Sequence, residues 1–120
     1  MRTTHTLVVV SLVGALAAVG PAAAGNASPA APTTVKVNMT DYAFALSKRR
    51  VAKGTVVFRV VNSGEVVHDF RIAGKKTPIY STGRSGVLRV LFKQPGNYAF
   101  VCTVPGHVAA GMKGVLQVTG

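Results

Sequence analysis

Cysteine occurs once in these 120 residues, at Cys102. A chain with one cysteine closes no internal disulfide, so this thiol is inert and buried, pairs between chains, or is put to use. Acidic residues are almost as scarce: Asp41, Glu65 and Asp69 stand against fourteen lysines and arginines, a formal charge of +11. Such an imbalance steers a protein towards anionic partners. Nucleic acid is the usual partner of a basic domain. Here the basic residues are scattered, apart from Lys48-Arg49-Arg50 and Lys75-Lys76. With the export described next, no nucleic acid is expected; an acidic protein or peripheral contact with an anionic membrane surface is.

Long apolar runs are also missing. The stretch Leu7 to Gly20 holds fourteen residues, short of the ~20 that cross a bilayer as a helix. It follows the cationic Arg2 and precedes the small residues Ala22-Ala23-Ala24. Basic, then apolar, then small is the anatomy of a secretory signal. Cleavage after Ala24 is expected, which places the mature chain in the periplasm or outside the cell; an uncleaved anchor is the alternative. Residues 25–34, rich in Pro, Ala and Ser, read as a flexible leader. Residues 35–120 then form one small domain, expected to be a monomer, near the lower size at which a core suffices without staples. A metal would supply such a staple.

Helical periodicity is absent from this domain, and alternation takes its place. Val35, Val37 and Met39 share one side, as do Val56, Phe58 and Val60 against Val57, Arg59 and Val61. In "VVHDFRI", alternation sets Val66, His68, Phe70 and Ile72 on one face, with Asp69 and Arg71 on the other. "VLRVLF", "YAFVC" and "GVLQV" follow the same rule. Turn signals separate these runs at residues 52–54, 62–64, 81–86 and 94–96. Six or seven short strands in one domain predict an all-β fold, a two-sheet β-sandwich. Strand count alone fits an immunoglobulin-like module equally well.

Four residues carry chemistry together that none carries alone. Singly, His68 reads as a core histidine, Cys102 as a small hydrophobe, His107 as a loop residue and Met112 as core filling. Yet Cys102 ends an alternating strand, and Pro105 and Gly106 stop the ladder from continuing. The chain must turn over the end of the sandwich and return at Met112. Cys102, His107 and Met112 therefore lie along one loop and can face a common centre, and a Greek-key sandwich can bring His68 beside it. Two imidazoles and a thiolate with a weak axial thioether suit copper cycling between Cu(I) and Cu(II). Structural zinc wants four strong ligands, and methionine is a poor fourth.

The segments "NSGEVVHDFRI", "KQPGNYAFVCTVPGH" and "GMKGVLQV" resemble the cupredoxins, the type 1 blue copper proteins. The Cys-x4-His-x4-Met loop is similar to that of the auracyanin-like members of the plastocyanin/azurin group. The resemblance implies a Greek-key β-sandwich (cupredoxin-like) and one copper held by His68, Cys102, His107 and Met112. It implies a one-electron carrier rather than an enzyme, with redox protein partners that carry acidic docking surfaces. It also implies that His107 reaches the surface through an apolar patch, here Pro105, Gly106, Val108 and Ala109. Copper delivery or storage is the alternative function. Two departures stand out: plastocyanin proper has a shorter Cys-to-His gap, and Asp69 stands where better-known members have asparagine after the first histidine. An exposed Asp69, loosely paired with Arg71, competes with one that accepts an N–H from the loop after Cys102.

Overall fold

In the computed structural model, which describes residue 14 and residues 30–120, every regular element is a β-strand. There are nine among the described residues, more than the six or seven expected, because three of them are only two or three residues long: β1 (Thr33–Thr40), β2 (Ala43–Leu46), β3 (Arg50–Ala52), β4 (Gly54–Asn62), β5 (Arg71–Ile72), β6 (Lys75–Lys76), β7 (Ser85–Phe92), β8 (Gly96–Val101) and β9 (Lys113–Thr119). Apart from residue 14, the expected signal sequence lies outside the described residues, as does the first half of the leader. The folded part begins at Thr33, inside the expected leader.

Two mixed sheets make a cupredoxin-like β-sandwich. One runs β2-β1-β4-β7 and the other β3-β9-β8-β5-β6. Strands β1 and β4 are parallel, as are β3 and β9; the remaining pairs are antiparallel. Parallel neighbours need a crossover connection, and here the chain passes through the other sheet between the members of each parallel pair.

Alternation decides which side chains fill the space between the sheets. Val35, Val37 and Met39 of β1 and Val56, Phe58 and Val60 of β4 are all buried, and Val57, Arg59 and Val61 are not. All five phenylalanines enter the core. Phe70 lies 5.1 Å from Phe58, 5.5 Å from Phe44 and 5.6 Å from Phe100 between ring centroids, at tilted or edge-on angles. Those are the arrangements that the ring quadrupole favours.

The alternating reading fails at one place. Residues 66–70 were expected to be strand, with His68 in its middle. Instead His68 makes only an isolated bridge to Tyr80, its N–H and C=O bonding the Tyr80 backbone at 3.1 and 2.8 Å. The cause is Asn62, the last residue of β4. Its amide donates to the carbonyls of Val66 and Tyr80 at 2.9 and 2.7 Å, and its oxygen accepts from Gly64 N–H at 2.9 Å. These side-chain bonds replace ladder bonds and loop the backbone out. Val66 is consequently exposed, not core-facing.

Candidate metal centre

At the end of the sandwich where β1, β4 and β8 finish, three chain segments converge. The first is the Asn62-organised loop, which delivers His68. The second is the turn of residues 102–112, which delivers Cys102, His107 and Met112. Backbone bonds hold this turn closed: His107 N–H to Val104 at 3.1 Å, Met112 N–H to His107 at 3.0 Å, and Cys102 N–H to Met112 at 3.2 Å. Gly106 and Gly111 take φ of 84° and 104° within it, a region that side-chain-bearing residues rarely adopt. The third segment is the β1–β2 turn, with Asp41 and Tyr42.

His68, Cys102 and Met112 are fully buried, and His107 is half-buried. His68 Nδ1 lies 3.1 Å from His107 Nδ1, and Cys102 Sγ lies 4.0 and 3.5 Å from those nitrogens. A triangle with these sides has its centre about 2.1 Å from every corner and inside the perimeter, matching metal–nitrogen and metal–thiolate bonds of roughly 2.0–2.3 Å. These three are the cysteine and histidine ligand atoms that cluster among the described residues. The donor set fits a metal in chemistry as well as in distance. Two imidazole nitrogens face each other with a sulfur beside them. Burial pushes the Cys102 thiol up from its usual range, so a thiolate here wants a cation next to it.

Both imidazoles, and the chain just after Cys102, are braced from behind. His68 Nε2 contacts Asp41 Oδ1 at 2.6 Å. An ionised carboxylate only accepts, so Nε2 carries the proton and Nδ1 keeps its lone pair for the centre. Tyr42 meets the His107 ring edge-on, with centroids 4.9 Å apart and planes at 75°. Asp69 is buried rather than exposed, so the alternating picture of a surface carboxylate beside Arg71 is corrected. Its Oδ1 accepts from Thr103 N–H at 2.6 Å, its Oδ2 from the Thr103 hydroxyl, and Lys76 Nζ stands 3.3 Å away. Burial alone would raise the Asp69 carboxyl, but the Thr103 donors and Lys76 outweigh it and hold it below the usual carboxylate range. The expected bond from the loop after Cys102 is therefore present.

Asp41, Tyr42 and Asn62 were missed by sequence reading. The turn that carries the first two has no motif, and contacts across a fold leave no periodic mark. Scarcity was the available signal for Asp41, one of three carboxylates in a strongly basic chain.

The fold and centre together define a mononuclear copper protein of the cupredoxin kind. The family described as copper binding proteins, plastocyanin/azurin family, matches residues 31–119. The chain belongs to that family. It is 46% identical over 43 residues to auracyanin-B of Chloroflexus aurantiacus, a stretch that covers 36% of this chain and 18% of that protein. The aligned segment thus spans under a fifth of its curated relative. The solved structure of auracyanin B is 25% identical, with a TM-score of 0.66, covering 80% of this chain and 96% of that one. Auracyanin A, a "blue" copper protein of the same organism, gives a TM-score of 0.65 at 22% identity, covering 74% and 100%.

Proposed function

We propose that this protein is an exported one-electron carrier with His68, Cys102, His107 and Met112 as its copper ligands. The observation that carries the reading is the closed triangle of His68 Nδ1, His107 Nδ1 and Cys102 Sγ. Bound there, copper would supply a one-electron couple between Cu(I) and Cu(II), with a soft thiolate and borderline imidazoles tolerated by both states. The protein's part is to keep those donors still. Buried side chains and the backbone bonds of residues 102–112 leave the donor positions little freedom to follow a change of charge. Water is kept from His68 and Cys102, while half-buried His107 leads towards solvent.

Around His107 the surface is apolar: Pro105, Gly106, Val108 and Ala109 are exposed, with Tyr42 and Val67 also exposed nearby in the two adjoining loops. Electrons enter and leave there, in contact with redox proteins that present acidic surfaces. An enzyme of this class would need further histidines for a catalytic copper. The two in the described residues, His68 and His107, are both used at this centre. Export rests on the residue pattern of the first twenty-four residues and on the habit of the family.

Addition of Cu(II) to the purified protein is the test. One equivalent should give an intense visible thiolate-to-copper band and the narrow EPR coupling of a blue centre. Cys102→Ser should lose the band, because a hydroxyl does not replace an ionised sulfur. A colourless complex of the unaltered protein, or equal colour in the variant, overturns the assignment.

A further inference from the structure

Asp41 is an exposed residue, its side chain 28% accessible, whose carboxylate turns towards the centre. It sits in the β1–β2 turn, far in sequence from every ligand candidate, yet it reaches the outer nitrogen of buried His68 at 2.6 Å. Its other bonds fix its direction. Oδ2 accepts Glu65 N–H at 2.9 Å and Oδ1 accepts Val66 N–H at 3.3 Å, so the group is clamped to the loop that delivers His68. The neighbouring backbone is shaped around this contact. A Cβ on Gly64 would stand 2.9 Å from His68 Nε2 and collide with Asp41 Oδ1. Only glycine leaves room for the carboxylate and the imidazole to meet.

Resting on the copper-carrier reading above, we infer that Asp41 is a positioning and tuning residue. It holds His68 as the Nε2–H tautomer with Nδ1 turned inward before any metal arrives, and it biases the bound copper towards Cu(II). The physical route is short. A carboxylate that accepts from an imidazole N–H makes the opposite nitrogen more basic, and such outer partners commonly change metal affinity by roughly 10–100-fold. A more basic nitrogen and a nearby negative charge both favour the more positive oxidation state. The same turn also lays Tyr42 against His107, so one turn governs both imidazoles.

Three measurements separate this role from simple bracing of a loop. The first is 15N NMR of the full chain, metal-free and Cu(I)-loaded, in which His68 should show a slowly exchanging, downfield Nε2–H in both forms. The second is the reduction potential of Asp41→Asn, which keeps an acceptor but removes the charge. It should stay blue while its Cu(II)-over-Cu(I) preference falls about tenfold, ~59 mV upward for a one-electron couple. The third is Gly64→Ala, which keeps the charge but displaces it; its potential should rise as well and the downfield proton should be lost. A His68 protonated on Nδ1 in the metal-free protein overturns the inference, as does a blue Asp41→Asn with an unmoved potential. If Asp41→Asn does not fold, Gly64→Ala and the NMR of the unaltered protein decide between tuning and bracing. A colourless unaltered protein overturns the carrier reading itself, and the redox half of this inference with it.

Discussion

Compare the middle of the sandwich with the end that holds Cys102. In the middle, the space between sheets is filled by Val, Phe and Leu from alternating strands, with ring contacts among Phe44, Phe58, Phe70 and Phe100. At the other region, the four buried polar residues Asn62, His68, Asp69 and Thr77 fall together within one stretch of chain. Among the described residues, no buried side-chain nitrogen or oxygen lacks a partner. The middle gains stability from non-directional burial, which tolerates exchange of one apolar group for another. The copper end gains position from directional bonds, each of which has one suitable partner. A stable body thus carries an end built for geometry.

The largest effect should come from the middle. Phe58→Ala removes a fully buried ring packed against Phe70 and Phe92 and should cost about 3–5 kcal/mol of unfolding free energy. Denaturant titration of the metal-free protein measures it, and the fraction that folds should still turn blue. A loss of stability together with loss of colour in the folded fraction would mean that the two regions are not separable.

Asn62→Ala should invert that pattern. It removes the donor to Val66 and Tyr80 carbonyls and the acceptor for Gly64 N–H, and orphaned buried groups cost roughly 1–3 kcal/mol each where water cannot reach them. The loop opens to solvent, so a total near the lower part of that range is expected. Copper affinity should suffer more than in Phe58→Ala, because the loop that delivers His68 loses its shape. Parallel copper titrations of the two variants check the contrast; greater weakening in Phe58→Ala breaks it.

What could be read from the sequence divides along the same line. Strand alternation names the core correctly at Val35, Val37, Val56, Phe58 and Val60, because burial between sheets has period two. It fails at residues 66–70, where scattered partners replace a strand ladder: Asn62 and Asp41 take the Val66 C=O and N–H, Tyr80 takes those of His68, and Thr77 takes those of Phe70. The Cys-x4-His-x4-Met spacing shows three ligand candidates because one turn holds them all. The closeness of His68 needed the fold. Asp41 reaches His68 across 27 positions of chain, Tyr42 reaches further still to His107, and nothing local marks either. Asp69 was flagged by its departure from the family pattern, and a bond from the loop after Cys102 was one of two competing readings; the structure makes Thr103 N–H the donor and buries the carboxylate fully.

Asp69→Asn sharpens the comparison within the polar end. The amide oxygen can still accept from Thr103 N–H, so the turn should keep its shape and the protein its colour. The charge is lost. Unit charges ~8 Å apart at an effective dielectric of about 20 interact by roughly 2 kcal/mol, an upper guide for this partly screened site beside Lys76. The potential should rise, by less than that ceiling. Voltammetry at neutral pH and low salt checks it; an unchanged potential means that Lys76 already neutralises Asp69, and a lower one that the Asp69 charge does not tune the copper.

The smallest structural effect, and the sharpest contrast, comes from two exposed valines. Val108 is 39% exposed beside His107, and Val87 is 56% exposed on the outer face of the four-stranded sheet. Glutamate at either site should change stability by no more than about 0.5 kcal/mol, as surface substitutions usually do. Neither replaces a ligand candidate, so both spectra should match the unaltered protein. Their kinetics should differ. A negative, hydrated group at residue 108 opposes both desolvation of the contact and attraction to an acidic partner, so electron exchange should slow. At residue 87 the same charge lies on the outer face of the four-stranded sheet, opposite Arg59, and alters only the long-range field, so the rate should change little. Added salt should slow the unaltered protein by screening its positive charge, and should narrow the gap between the two variants. Stopped-flow exchange with an acidic redox protein, across an ionic-strength series, reads both effects. Equal slowing by Val108→Glu and Val87→Glu would mean that net charge alone governs encounter and that the surface around His107 is not the port.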